Sequence, residues 1–228
     1  MEKSTVKILY KSKNLVAVYK PPLIPSQSDP SGDADAMTIT SELLRENKEP
    51  EGLWLVHRLD RVVGGLLVFA RNKKSAAELS SLVQDGGMVK EYFAVVEGAP
   101  SEGQMRDYIY KDAVKGKAFV TDRSRGGVKE AILICTPLET VETDRGERTL
   151  VRAKLITGRF HQIRAQFSSR GMPLVGDGKY GSRDSVARLP ALFAGRLSFK
   201  TKSESLSLSE KPPIDEYPWS LFKIENFD

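Results

Sequence analysis

The chain of 228 residues has a single cysteine, Cys135, and two histidines, His57 and His161. One cysteine excludes an internal disulfide and suits a reducing compartment, so a cytoplasmic location is expected. Cys135 lies in the apolar run Ala131-Ile132-Leu133-Ile134-Cys135 and reads as a buried structural thiol. With two histidines and no cysteine or carboxylate cluster at ligand spacing, no metal site is visible. No phosphate-binding glycine loop is present, so neither a metal nor a nucleotide or other cofactor is expected. No apolar run is long enough to span a bilayer, and Met1-Glu2-Lys3-Ser4 does not lead into a signal-peptide core, so no membrane partner is expected. Blocks of like charge are missing too. The net charge of +5 is spread along the chain without a basic tail. That modest excess is compatible with a polyanionic partner and does not identify one.

What is present is ample apolar sequence for a core, 40% of the residues, in one large domain or two small ones. Val6–Tyr10 and Leu15–Tyr19 read as strands around a polar turn. An irregular loop rich in proline and serine follows, from Pro21 to Ser31. Met37–Glu46 reads as a short helix, and Leu53–Val56 and Leu66–Ala70 as strands. Asn72 is placed to cap a helix from Lys73 to about Gln84, with Ala76, Leu79 and Val83 on one face. Asp85-Gly86-Gly87 ends it. Lys90–Glu97 alternates as a strand, Tyr92, Ala94 and Val96 sharing one side. From Asp107 to Thr157 strands dominate, with turns at Lys115–Lys117, Arg125–Gly127 and Thr143–Gly146. Phe160–Ser169 is a short helix whose apolar side holds Ile163 and Phe167, with His161 and Arg164 pointing elsewhere. After Leu206 no pattern stands out beyond Pro212-Pro213. Many antiparallel-looking strands with few helices indicate an α+β fold.

The most informative run is His57-Arg58-Leu59-Asp60-Arg61, followed by Gly64-Gly65 and the apolar stretch Leu66–Ala70. It sets one carboxylate between two guanidinium groups, which favour its ionised form. An ionised carboxylate at the mouth of a strand is a candidate nucleophile, or one member of a surface ion cluster. Three further runs bear on the choice. They are Lys90-Glu91-Tyr92, then Gly158-Arg159-Phe160-His161-Gln162-Ile163-Arg164, then Gly176-Asp177 with Tyr180-Gly181.

Together, in this order, the four runs resemble the RluA-type family of RNA pseudouridine synthases. The resemblance extends from about Leu15 to Phe199. It implies a mixed, largely antiparallel sheet with flanking helices and a central RNA-binding cleft. A single catalytic domain over residues 1–228 is expected, without the small N-terminal RNA-binding module seen in many relatives, and a monomer. The implied activity is isomerisation of specific uridines in tRNA or rRNA, with the target nucleotide flipped out of the RNA. By the resemblance Asp60 is the catalytic aspartate, Arg58 displaces the target base, and Tyr92 packs on the flipped base. Arg164 is the basic residue that pairs with the catalytic aspartate, and Ile163 lines the base pocket. Lys90, Arg159 and His161 are candidates for substrate contacts, although a solvated or structural role is open for each. The chain departs from the family where Val63-Gly64-Gly65 replaces the usual Thr-Ser-Gly, removing two hydroxyls behind the Asp60 loop. Two other readings stay open. One is a catalytically silent RNA-binding module. The other is a glycoside hydrolase, which normally needs a second carboxylate about 5 to 10 Å from the first.

Overall fold

Strands, many of them marked by apolar residues alternating with a period of two, are the main regular elements of this chain. The structure is a computed structural model and is described over residues 5–123 and 126–227. Met1–Ser4, and Arg125 of the turn expected at Arg125–Gly127, lie outside the described residues. The chain divides into two units, Met1–Val89 with Ala194–Glu210, and Lys90–Phe193 with Lys211–Asp228.

In the first unit β1 (Lys7–Lys11), β2 (Leu15–Lys20) and β4 (Gly64–Ala70) lie side by side and antiparallel. The short β3 (Trp54–Leu55) pairs with the end of β4, and β10 (Leu192–Lys200) neighbours β4 and pairs with β11 (Ser205–Ser209). Every residue of β4 is buried, as a continuous apolar run between turn residues predicts. Helix α1 (Ala36–Glu46) begins at Asp35, whose Oδ1 accepts from Thr38 N at 3.0 Å. Helix α2 (Lys73–Gln84) begins at Asn72, whose Oδ1 accepts from Ser75 N at 2.9 Å. Leu79 of α2, flanked by Ala76 and Val83, packs with Leu15, Leu66, Val68, Phe199 and Leu206. Strand β11 was not expected, yet its Ser-Leu-Ser-Leu-Ser alternation buries Leu206 against that cluster.

In the second unit the order is β5 (Val89–Glu97), β9 (Arg148–Leu155), β8 (Val128–Val141), β6 (Gly103–Asp112), β7 (Lys117–Val120), each pair antiparallel. Helix α3 runs from Gln162 to Ser169, two residues later than expected, because His161 takes a left-handed conformation with φ 51°. Its Ala165 packs with Ile109, Ala118, Ala131 and Tyr180. Cys135 is buried in β8, and burial pushes its thiol up to about 11. The fold is α+β with largely antiparallel strands, as the sequence pattern indicated. Among the described residues no helix is long and apolar enough to cross a membrane.

The start of β4 has no room for a side chain. Gly65 has φ 121°, and a Cβ there would lie 2.3 Å from Ala194 O and 2.7 Å from Ala194 N. Backbone, not a flexible side chain, is in the way. Gly65→Ala should therefore cost roughly 2–4 kcal/mol of folding stability in urea denaturation, from overpacking and left-handed strain together. Stability within about 0.5 kcal/mol of wild type, the range of an ordinary surface substitution, would show that β4 and β10 can part freely.

Candidate active site

Asp60 sits on the turn between β3 and β4, half-buried, with Arg58 exposed and Leu59 buried on the same turn. The turn is short of ladder hydrogen bonds because β3 stops at Leu55. Its register with β4, Trp54 to Ala70 and Leu55 to Phe69, would next offer Val68 to Val56. The Val68 amide instead donates to His57 Nε2 at 3.2 Å. Since a backbone N–H can only donate, Nε2 holds a lone pair there, and neutral His57 carries its proton on Nδ1. An imidazole thus finishes the strand edge and lets the backbone peel away to carry Asp60.

The sequence placed two arginines about Asp60. Arg61, however, reaches the acidic loop: its guanidinium pairs with Asp33, donates to Ser31 Oγ at 2.9 Å, and lies 3.7 Å from Asp29. Arg61 and Ser31 hold the Asp29 and Asp33 carboxyls below the usual range. A different cation acts on Asp60 within this unit, and sequence reading missed it. Lys20 is wholly buried, and its Nζ donates to Pro21 O at 3.0 Å, Ile24 O at 2.7 Å and, more weakly, Arg61 O at 3.4 Å. Burial pushes the Lys20 ammonium down to about 7; the Asp60 carboxylate opposes this, and the Arg61 charge adds to it. The only sequence signal was a lysine wedged between an apolar strand and two prolines.

The second unit holds the remaining candidates. Lys90 and Tyr92 are on β5, where Tyr92 is buried and paired in register with Ala153. Desolvation lowers the Lys90 pKa, and a Cβ on Gly158 would lie 3.5 Å from its Nζ, which puts Lys90 beside the Arg159 segment. Arg159 Nε donates to Glu130 O at 2.7 Å. Gln162 pins the same segment, accepting from Thr157 Oγ1 at 2.8 Å and Arg159 N at 2.9 Å and donating to Ile132 O at 3.1 Å. The His161 ring stacks on Phe160 at 3.8 Å, and its Nδ1 shares a hydrogen bond of 2.9 Å with Tyr180 Oη. Ile163 and Arg164 occupy the first turn of α3, where every residue from Gln162 to Phe167 is buried. Arg164 therefore has no solvated side there.

Arg164 is held by a group whose role the sequence left blank. Its Nε donates to Asp177 Oδ2 at 2.6 Å and its Nη2 to Asp177 Oδ1 at 2.8 Å, and its Cζ lies 4.8 Å from the centre of the Tyr180 ring. This is a two-pronged fork on a carboxylate with an aromatic face below it. Tyr180 Oη also accepts from Ala118 N at 2.8 Å. The Gly-Asp and Tyr-Gly pairs of the tail therefore serve to hold the Arg159–Arg164 segment. Gly176 is required at their start, because at φ 80° a Cβ would meet Leu189 O at 2.3 Å. Among the described residues no group of three or more His, Cys, Asp or Glu is placed to hold a metal ion.

A sequence model of the family described as RNA pseudouridylate synthase matches residues 14–169, which include Asp60, Tyr92 and Arg164. The chain belongs to this family. Its members are isomerases. Ribosomal large subunit pseudouridine synthase C of Rickettsia conorii is 33% identical over 207 residues, covering 90% of this chain and 63% of the relative. The protein of that name from Rickettsia felis is 31% identical over 214 residues, covering 91% and 68%. The chain thus spans about two thirds of these relatives' length. Human RNA pseudouridylate synthase domain containing 4 superposes with a TM-score of 0.72 at 28% identity, over 90% of this chain and 88% of that one. Human RNA pseudouridylate synthase domain containing 1 gives 0.75 at 23% identity, a likeness of fold, over 94% and 87%.

Two predictions come from these buried charges. Asp177→Asn keeps the volume but removes the buried carboxylate charge on which the Arg164 fork is built. It should cost about 3–5 kcal/mol in denaturant unfolding; a loss under about 1 kcal/mol, the worth of an exposed pair, would show the fork to be solvent-screened. For Lys20, the folded value is about 7 and the ordinary one 10.5. Between those values the unfolded chain still binds the proton that the folded chain has released. The contribution to stability therefore rises with pH across that window and is flat below it. The wild-type stability curve should climb relative to that of Lys20→Met from pH 7 to 10.5. Parallel curves would mean that Lys20 titrates like an exposed lysine.

Proposed function

We propose that this protein isomerises uridine to pseudouridine in structured RNA, with Asp60 as the nucleophile. The observation that carries this reading is the family match across residues 14–169, which contains the Asp60 turn and both partner segments. In the proposed reaction the uridine is flipped from the RNA and the Asp60 carboxylate acts at C1′ as the N1–C1′ bond breaks. The freed uracil turns, C5 joins C1′ as the Asp60 carboxylate leaves it, C5 loses its proton and N1 ends protonated. Atoms and electrons balance within the substrate, so the step calls on no external oxidant, reductant or group donor. Arg58, exposed beside Asp60, displaces the base and meets the backbone. By the family resemblance Tyr92 packs on the base, Ile163 borders it, and Arg164 supplies positive charge for the same reaction. Lys90, Arg159 and His161 contact the RNA around the target.

The relatives' names point to large-subunit ribosomal RNA as the first substrate to test, with tRNA beside it. Purified protein is incubated with each RNA, and pseudouridine is mapped at single-nucleotide resolution. Conversion at defined uridines, without release of free base, is the expected result. Release of free uracil would instead indicate glycoside hydrolysis, and tight binding without conversion a silent module. Asp60→Asn should lower turnover by on the order of 10³-fold or more. Its RNA affinity and the steep salt dependence of that affinity should persist, because phosphate contacts carry them. Substantial turnover by pure Asp60→Asn protein would remove Asp60 from the mechanism.

A further inference from the structure

The residue before the nucleophile is buried outside any strand. Leu59 is 5% exposed and belongs to none of the strands, so no neighbouring strand serves its backbone N–H and C=O. Both are served by one side chain. Ser26 Oγ accepts from Leu59 N at 3.0 Å and donates to Leu59 O at 2.9 Å. A strand partner supplies an acceptor and a donor to the residue opposite it. A hydroxyl can do the same from a single atom, having one proton and two lone pairs. Ser26 is itself buried and its segment is held on both sides: before it Ile24 O accepts from Lys20 and Pro25 O accepts from Ala36 N at 2.8 Å where α1 begins, and after it Ser28 Oγ donates to Asp35 Oδ2 at 3.1 Å.

The geometry of the peptide group makes this contact specific to Asp60. Leu59 O and Asp60 N belong to one planar unit, so pinning the oxygen sets the plane on the N-terminal side of Asp60. The plane on the other side is pinned by Val63 N, which donates to Asp60 O at 3.0 Å. With both flanking planes held, the direction of the Asp60 Cα–Cβ bond is determined before any substrate arrives. The second restraint is internal to the turn. The first reaches in from a segment more than thirty residues away.

We propose that Ser26 is a positioning residue for Asp60, its hydroxyl standing in for the missing strand partner of Leu59 and aiming the nucleophile. This rests on the reading of Asp60 as nucleophile. Ser26→Ala leaves two buried backbone groups without their partner. The turn then relaxes locally, and a small misplacement of a reacting group lowers rate rather than affinity.

The test uses the full chain and two readouts. Ser26→Ala should lower kcat about 10- to 100-fold with KM for RNA within about twofold, and Ser26→Thr, which keeps the hydroxyl, should recover most of the loss. Hydrogen exchange at the Leu59 amide should speed up at least ~10-fold in Ser26→Ala, and equally in the Asp60→Asn background where there is no turnover to measure. Unchanged Leu59 exchange, or faster exchange with kcat intact in a protein whose Asp60 is essential, would overturn the proposal. Asp60→Asn protein that still turns over, while Ser26→Ala speeds exchange, would fault the functional reading instead. If Ser26→Ala does not fold, Ser26→Cys takes its place in both measurements. A cysteine there that matches serine in kcat and in Leu59 exchange would also overturn the proposal, since a thiol is a weak donor and acceptor.

Discussion

The ammonium group of Lys20, buried on the carbonyls of Pro21, Ile24 and Arg61, is the contact around which the turn carrying Asp60 is built. A charge removed from water costs several kcal/mol unless polar groups replace the solvent. Here the replacements are backbone oxygens, and they belong to two separate segments, so satisfying one cation ties the 21–26 loop to the turn that carries Asp60. The loop is suited to this. Pro21, Pro22 and Pro25 have no N–H and cannot join a ladder, which leaves carbonyls free to turn inward. Leu23 holds its place by a left-handed φ of 71°, its amide donating to the Arg61 carbonyl at 2.7 Å. The Arg61 side chain is drawn off to Asp29, Asp33 and Ser31, which screens the charge that most opposes the Lys20 ammonium. The same acidic loop that binds Arg61 supplies Asp35 as the cap of α1, so one short polar segment both starts a helix and steadies the turn.

The second unit meets the same difficulty with a guanidinium, and solves it differently. Arg164 lies in a helix turn with no solvated side, so its charge must be matched inside. A carboxylate in bidentate contact does so with directional bonds, and the Tyr180 ring adds a face beneath. That ring is fixed by its own hydroxyl on Ala118 N and His161 Nδ1. A chain of contacts therefore runs from β7 through Tyr180 to Arg164, and His161 belongs to it. This explains why a histidine between two candidate arginines is a support as well as a candidate contact. It also explains Gly176: only a residue without Cβ can pass Leu189 closely enough to deliver Asp177 to the helix.

These two supports mark the limit of what could be read from the residues alone. The strands, the Asn72 cap and the Leu79 face of α2 follow from local periodicity and capping, and were legible. The motifs were legible as a set because their order along the chain is informative even where each is weak. What was not legible depended on residues far apart in sequence. Lys20 looks like the polar end of a strand until Asp60 and Arg61 are placed beside it. Arg164 looks like one face of an amphipathic helix, because periodicity assigns faces but does not say that both faces will be covered. Asp177 and Tyr180 were visible as motif letters without a task. Strand β11 was missed for a smaller reason: serine and leucine in alternation make a weak apolar signal, although the period of two is intact.

The replacement of Thr-Ser-Gly by Val63-Gly64-Gly65 is best understood through the same packing. Val63 is buried and Gly64 lies under the proline loop, where a Cβ would come within 3.1 Å of Pro22 Cδ and 3.5 Å of Lys20 O. A side chain at position 64 would have to push that ring aside by a few tenths of an ångström. The same loop carries the Lys20, Leu23 and Ser26 contacts to the turn. Two hydroxyls are absent behind the turn, yet its buried backbone is met by hydrogen bonds from the proline loop: Leu59 by Ser26, and Arg61 by Leu23 and Lys20. Close approach of that loop and a small residue at position 64 are thus two sides of one arrangement. Bracing by the loop is favoured by removing bulk under it. Gly65 needs a separate reason, the passing backbone of Ala194, which is why it stays glycine here while its two predecessors differ from the family pattern.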